Sequence, residues 1–253
     1  MGCESCLAFP AGIFISIAAS AVGIGGGILW MPFFLIILKL QPEAAVLTSL
    51  LIQTAGMGSS SYAYFKQNSP DPRLALVMLL FAMPGITLGA YIANKIKPTY
   101  IEPILGILVL TTAFLFVSSN QKYADSGLSR VETGKIYKHS WIAISVSVTS
   151  GLLSTAMGEW LIPIMRTRLS LKMSSAIATC VFITFGTSLF GAAVHLLMGS
   201  EADFSIVLWA VPGVIAGGQI GPRIAKRINE RLLKEIFVFL LTLVGIHLIY
   251  NSY

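Results

Sequence analysis

Residues 23–32 read GIGGGILWMP, four glycines in five positions with a proline just beyond, and their reading decides the fold. They lie inside an uncharged block, residues 5–38, whose 34 residues would make a straight helix about 51 Å long at 1.5 Å per residue. A hydrocarbon layer is only about 30 Å thick. Glycine weakens a helix and admits positive φ, and Pro32 removes a backbone donor, so the block is expected to be a hairpin of two short half-helices.

The same pattern returns 131 positions later as AMGEWLIP at 156–163. At that offset Ile13 matches Ile144, Ser16 matches Ser147, Gly27 matches Gly158, Pro32 matches Pro163, Leu40 matches Leu171, Ala45 matches Ala176 and Thr48 matches Thr179. An offset of 128 then aligns Pro84, Gly85 and Gly89 with Pro212, Gly213 and Gly217. The chain therefore reads as two copies of one unit, residues 1–118 and 139–253, joined by a linker at 119–138. The breakers of the second hairpin, around Thr155, Gly158 and Pro163, are weaker, and its break is inferred partly from the repeat.

Composition sets the solvent. Hydrophobic residues make up 55%, charged residues 11%, and the mean hydropathy is +0.81, too little polar surface to coat a soluble domain. Further uncharged stretches run over 44–65, 74–94, 103–121, 139–158, 173–200, 204–222 and 236–253. Each is about long enough to cross lipid as a helix, and none shows the alternation of a barrel strand. The expected fold is all-α, a multi-pass integral membrane protein with a broken hairpin plus three transmembrane helices in each repeat.

Lys and Arg in short loops gather on the cytoplasmic side. If each glycine-bearing block enters and leaves on one face, the two repeats point in opposite directions, and 14 of the 17 basic residues fall on one face. Only Lys39, Lys95 and Lys97 remain on the other. Eight simple crossings would divide them 11 to 6. Inverted topology is the better reading, with both termini outside and the linker cytoplasmic. The net charge of +6 then marks helix ends rather than a nucleic-acid surface. The first apolar block lacks a basic n-region and is read as part of the mature protein. No Walker loop, metal-ligand spacing or cofactor motif is present, and no nucleophile–base pair stands at readable spacing, so neither nucleotide-driven pumping nor catalysis is expected.

A half-helix that begins inside the membrane leaves its first amides unpaired and carries the positive end of its dipole into the break. Irregular backbone at that depth is tolerated where it lines a cavity or is buried in protein. Two such breaks brought together by an inverted repeat would build a site for a small oxyanion, with the backbone of Gly25, Gly26, Gly27 and Gly158 approaching it closely. The competing reading is close helix packing, which small residues serve in lipid. That packing wants spacing by four, not a contiguous triplet.

Gly23-Ile-Gly-Gly-Gly27, Pro32, then Ala45-Val-Leu-Thr48-Ser49 after a short turn, with a weaker second copy ending in Pro163 and Ala176-Ile-Ala-Thr179, resembles the sulfite exporter TauE/SafE family over nearly the whole chain. The resemblance implies a secondary transporter of the prokaryotic cytoplasmic (inner) membrane that exports sulfite, sulfoacetate or related organosulfonates, some relatives working in uptake. The second copy departs from the pattern with Ser154-Thr-Ala-Met-Gly158-Glu159-Trp160, a bulkier tip that contains an acid. A passive anion channel, or a carrier of another small carboxylate or sulfonate, is the alternative. Self-association into a homo-oligomer stays open.

Glu159 is the one acid expected well inside an apolar segment, and its cost there makes it the candidate for proton coupling: neutral, it admits the anion, and ionised, it expels it. Thr48 and Ser49, on a helix that should start near Pro42, and Thr179 and Cys180 in the other copy, are expected to complete the anion's hydrogen-bond shell, with Gln53 one turn beyond Ser49. Back-bonding to their own helices is the alternative. Trp160 is a candidate cavity wall, and His195, opposite Tyr64 in the repeat, reads as a satisfied helix-end histidine. Pro84-Gly85 and Pro212-Gly213 should kink their helices where neighbouring helices approach closely. Cys3 and Cys6 form a C-x-x-C at the N-terminus with no assigned role.

Overall fold

A computed structural model describes residues 5–67, 70–118, 127–155, 157–225 and 230–251. Cys3 and the side chain of Glu159 lie outside what it describes. Among the described residues every regular element is helical. Helix α1 spans Ala8–Val22, and α2 spans Gly27–Pro32 and continues through π-helical turns at Phe33–Ile37. Then come α3 (Pro42–Phe65), α4 (Pro72–Ala93) and α5 (Ile101–Ser118). The second part holds α6 (Thr133–His139), α7 (Trp141–Leu153), α8 (Gly158–Thr167), α9 (Met173–Leu197), α10 (Phe204–Ile224) and α11 (Glu230–Asn251). Among the described residues four segments are long and apolar enough to cross a membrane: Ser5–Val22, Pro72–Ala93, Met173–Leu197 and Phe204–Ile224.

The packing interleaves the two parts of the chain. Helix α1 lies along α10, α4 along α7, α3 along α9 and α5 along α11. Prolines 84 and 212 do not end their helices; the glycines that follow them set the interhelical distance. A Cβ on Gly85 would overlap Ser147 Oγ and the Ile144 carbonyl, and one on Gly89 the Val148 carbonyl. On the other side, Gly213 lies against the carbonyl of Phe9 and Gly217 against that of Ile13. Backbones pack this closely only where side chains are absent, which suits association in lipid.

Helices α3 and α9 are largely enclosed and carry many of the buried hydroxyls and amides, among them Ser49, Gln53 and Ser60 on α3 and Thr179, Thr184 and Ser188 on α9. Large apolar side chains face outward instead, with Phe14 73% exposed and Leu197 89% exposed. Polar inside and apolar outside is the arrangement a hydrocarbon solvent demands.

An aspartate starts each of the helices α4 and α10. Asp71 Oδ1 accepts from the amides of Arg73 and Leu74 at the start of α4, and Asp203 Oδ1 from those of Ser205 and Ile206 at the start of α10. These are N-caps, whose carboxylates satisfy the first free amides of each helix. Part of the expected linker is structured. Leu128 donates to the Ser170 carbonyl and accepts from the Lys172 amide, the Val131 amide donates to Asp71 Oδ2 at 2.9 Å, and α6 follows. These partners are distant in sequence, so linker composition alone gave no sign of them.

Candidate functional site

The chain breaks where the glycines predict. Helix α1 ends at Gly23, which adopts the left-handed conformation (φ +78°) while its amide still donates to the Ala19 carbonyl at 2.9 Å. Helix α2 begins four residues later. Helix α7 ends in the same way at Ser154 (φ +57°), and α8 begins at Gly158. Gly23 and Ser154 are 131 apart, as are Gly27 and Gly158. A second corresponding pair, Lys39 (φ +49°) and Ser170 (φ +51°), is left-handed at the far end of each hairpin. Residues 131 positions apart thus share a left-handed backbone conformation even where their identities differ.

The two breaks press on one another reciprocally. A Cβ on Gly27 would overlap the Ser154 carbonyl oxygen, and one on Gly158 would overlap the Gly23 carbonyl oxygen. Each short helix therefore starts against the left-handed turn of the opposite hairpin. Ser154 pays for its backbone, since a non-glycine residue there costs about 1–2 kcal/mol, and side chains from α3 hold it. Gln53 Nε2 lies 2.9 Å from the Ser154 carbonyl and 2.6 Å from its Oγ, while Ser154 Oγ donates to Ser49 Oγ at 3.0 Å. Proximity to a carbonyl oxygen fixes the Gln53 amide with its nitrogen toward the turn.

Donors and acceptors are distributed unevenly around the breaks. Orphan carbonyls near the ends of α1 and α7 find partners: Tyr64 donates its hydroxyl to Ser20 O at 2.8 Å, and His195 Nε2 lies 2.8 Å from Gly151 O. Tyr64 and His195 are 131 apart, as are Ser20 and Gly151. The amides are treated differently. Among the described residues, the backbone amides of the buried residues Ile24, Gly25, Gly26, Gly27 and Ile28 have no protein acceptor, nor do those of Met157 and Gly158. Buried backbone donors left without partners are rare, and each costs about 1–3 kcal/mol.

Of the residues singled out from sequence, Gly27, Ser49 and Gln53 come together with Ser154, and Gly158 meets Gly23. Gly25 and Gly26 are buried in the first break, and a Cβ on Gly26 would touch the Trp30 ring. Thr48 and Thr179 sit elsewhere, each accepting the backbone amide of an N-cap aspartate: Asp203 N–H reaches Thr48 Oγ1 at 3.0 Å, and Asp71 N–H reaches Thr179 Oγ1 at 2.9 Å. Cys180 Sγ lies 3.8 Å from Met165 Sδ, and Trp160 is half-buried in the first turn of α8. Trp30 is core, stacked on Phe34 with ring centroids 5.1 Å apart. Glu159 is the second residue of α8.

Sequence reasoning passed over Ser154, although Gly23 plus 131 leads straight to it. It also gave Tyr64 no partner, because Ser20 looks ordinary until a helix end is placed there.

Comparison with known proteins matches residues 8–248 to the family model described as Sulfite exporter TauE/SafE. The chain is similar to the probable membrane transporter protein YunE of Bacillus subtilis, 26% identical with 95% of this chain and 96% of that one covered. It is also similar to a probable membrane transporter protein of Xylella fastidiosa (22% identical, 96% and 94% covered). Likewise it is similar to the probable membrane transporter protein MamO of Paramagnetospirillum magneticum (23% identical), where 89% of this chain covers 42% of the longer protein. No solved structure matches.

Proposed function

The chain belongs to the sulfite exporter TauE/SafE family of membrane transporters, and from that premise we propose that it carries a small sulfur oxyanion or organosulfonate across the membrane, held between the two helix breaks. The observation that carries this reading is the uneven accounting at the breaks. Carbonyls at the C-terminal ends of α1 and α7 are satisfied by Tyr64, His195 and Gln53, while consecutive amides at the N-terminal ends of α2 and α8 are not. What remains is a buried surface of positive dipole ends whose natural complement is an anion.

Two repeats of inverted topology account for the reciprocal contacts, since a two-fold axis in the membrane plane would bring each short helix against the opposite turn. Gly27 and Gly158 already touch the facing carbonyls, so the anion enters only as the breaks part, and the parting is the alternating-access step. Glu159, beside Gly158 at the start of α8, is the coupling acid of this scheme.

Flux of labelled sulfite into proteoliposomes tests the reading. The rate should saturate, be competed by other small oxyanions and not by cations, and change with a step in pH in the wild type but not in Glu159→Gln. Flux that never saturates would favour a passive channel, and unchanged proton dependence in the variant would remove Glu159 from the scheme.

A further inference from the structure

We propose that the Thr184 hydroxyl donates a hydrogen bond to the transported oxyanion, an inference that rests on the reading above. Thr184 is 1% exposed, and its Oγ1 has no hydrogen-bond partner. Among the described residues Thr112, on α5 and away from the breaks, is the other buried helical hydroxyl in this state. Thr54, Ser60, Thr87, Thr111 and Thr242 all donate to the carbonyl four residues back, while the Thr184 carbonyl itself accepts from Thr187 and Ser188. A hydroxyl on a helix satisfies itself by this local bond unless something else competes for it.

Its place in the fold says what competes. Ile177, Thr184, Gly191 and His195 share one face of α9 by their spacing of seven, seven and four. At one end of that face Ile177 abuts Gly23 at the first break, and at the other His195 binds the Gly151 carbonyl three residues before the second break. Thr184 stands between them, on the line that passes over both turns. It is also the counterpart, 131 positions on, of Gln53, whose side chain reaches across to Ser154. Gln53 is long and fully engaged by the opposite turn, whereas the shorter Thr184 stops without an acceptor. A buried donor of this kind, on the face of α9 that runs between residues touching Gly23 and Gly151, supplies the side-chain hydrogen bond that backbone alone cannot give to an oxyanion.

Thr184→Val preserves shape and removes only the hydroxyl, and Thr184→Ser keeps the hydroxyl. Sulfite affinity and the ligand-free melting temperature are measured for both, using the purified full chain in detergent. The expected result is a loss of sulfite affinity of roughly tenfold or more in Thr184→Val, with a melting temperature equal to or above wild type and near-normal affinity in Thr184→Ser. A hydroxyl with a purely structural role would lower the melting temperature and leave affinity alone. Wild type and Thr184→Val binding sulfite equally would overturn the assignment while leaving the anion site standing. Wild type failing to bind sulfite, sulfate or sulfoacetate would overturn both.

Discussion

Gly27→Ala and Gly158→Ala should each abolish sulfite flux and lower the melting temperature, while Gly134→Ala leaves both unchanged. A methyl group at Gly27 or Gly158 meets a backbone carbonyl oxygen of the opposite turn, Ser154 or Gly23, and no rotamer change can move a backbone oxygen aside. Overpacking a well-filled interior costs about 1–3 kcal/mol when neighbours adjust, and here the adjustment would be displacement of a whole half-helix. The consequence falls on function more than on folding, because the two breaks can no longer close. Gly134 has nothing within 4 Å of its missing Cβ, so it controls for the intrinsic effect of the substitution. Melting curves in detergent and flux in proteoliposomes read the two consequences separately. Normal flux in either variant would mean that the breaks do not need to meet.

Gln53→Leu should be the most damaging change among the polar residues of α3. It removes the donor to the Ser154 carbonyl and hydroxyl, leaves that carbonyl buried without a partner, and unlocks a left-handed turn built on a serine. An orphaned buried acceptor costs about 1–3 kcal/mol. Gln53→Glu should do no better, since a carboxylate offers no donor to a carbonyl. The mechanism has its own rescue: glycine holds the left-handed conformation without strain, so Ser154→Gly introduced on top of Gln53→Leu should recover part of the lost melting temperature. A double variant no more stable than Gln53→Leu would show that Gln53 matters for some reason other than holding this turn.

Much of the architecture was legible because glycine and proline act locally. Gly23 through Gly27 stop a helix wherever they stand, and Gly85, Gly89, Gly213 and Gly217 mark the seams at which α4 meets α7 and α10 meets α1. The resemblance to a transporter family, drawn from the order of these motifs, is borne out by the family match. The residues that were hard to read are those whose partners lie far away in sequence. Nothing near Thr48 in the sequence signals that Asp203, 155 positions on, brings its amide to the Thr48 hydroxyl oxygen, and Thr179 gives no sign of Asp71. Ser154 was opaque for a different reason, since serine rarely adopts positive φ and only Gln53 and Ser49 make it affordable here. The π-helical turns after Pro32 and the docking of Leu128 beside Leu171 likewise depend on packing that no local pattern encodes.

The most direct test of the central claim is a cross-link between the breaks. Ser49 and Ser154 place their hydroxyl oxygens 3.0 Å apart across the meeting point, and cysteines at both positions, in a chain whose Cys3, Cys6 and Cys180 are replaced by serine, would bring two sulfurs within bonding reach. The prediction is that mild oxidation in membranes joins them, that the joined protein carries no sulfite, and that saturating sulfite slows the reaction because the anion holds the breaks apart. No cross-link under any condition, or a cross-linked protein that transports as fast as the reduced one, would contradict the account.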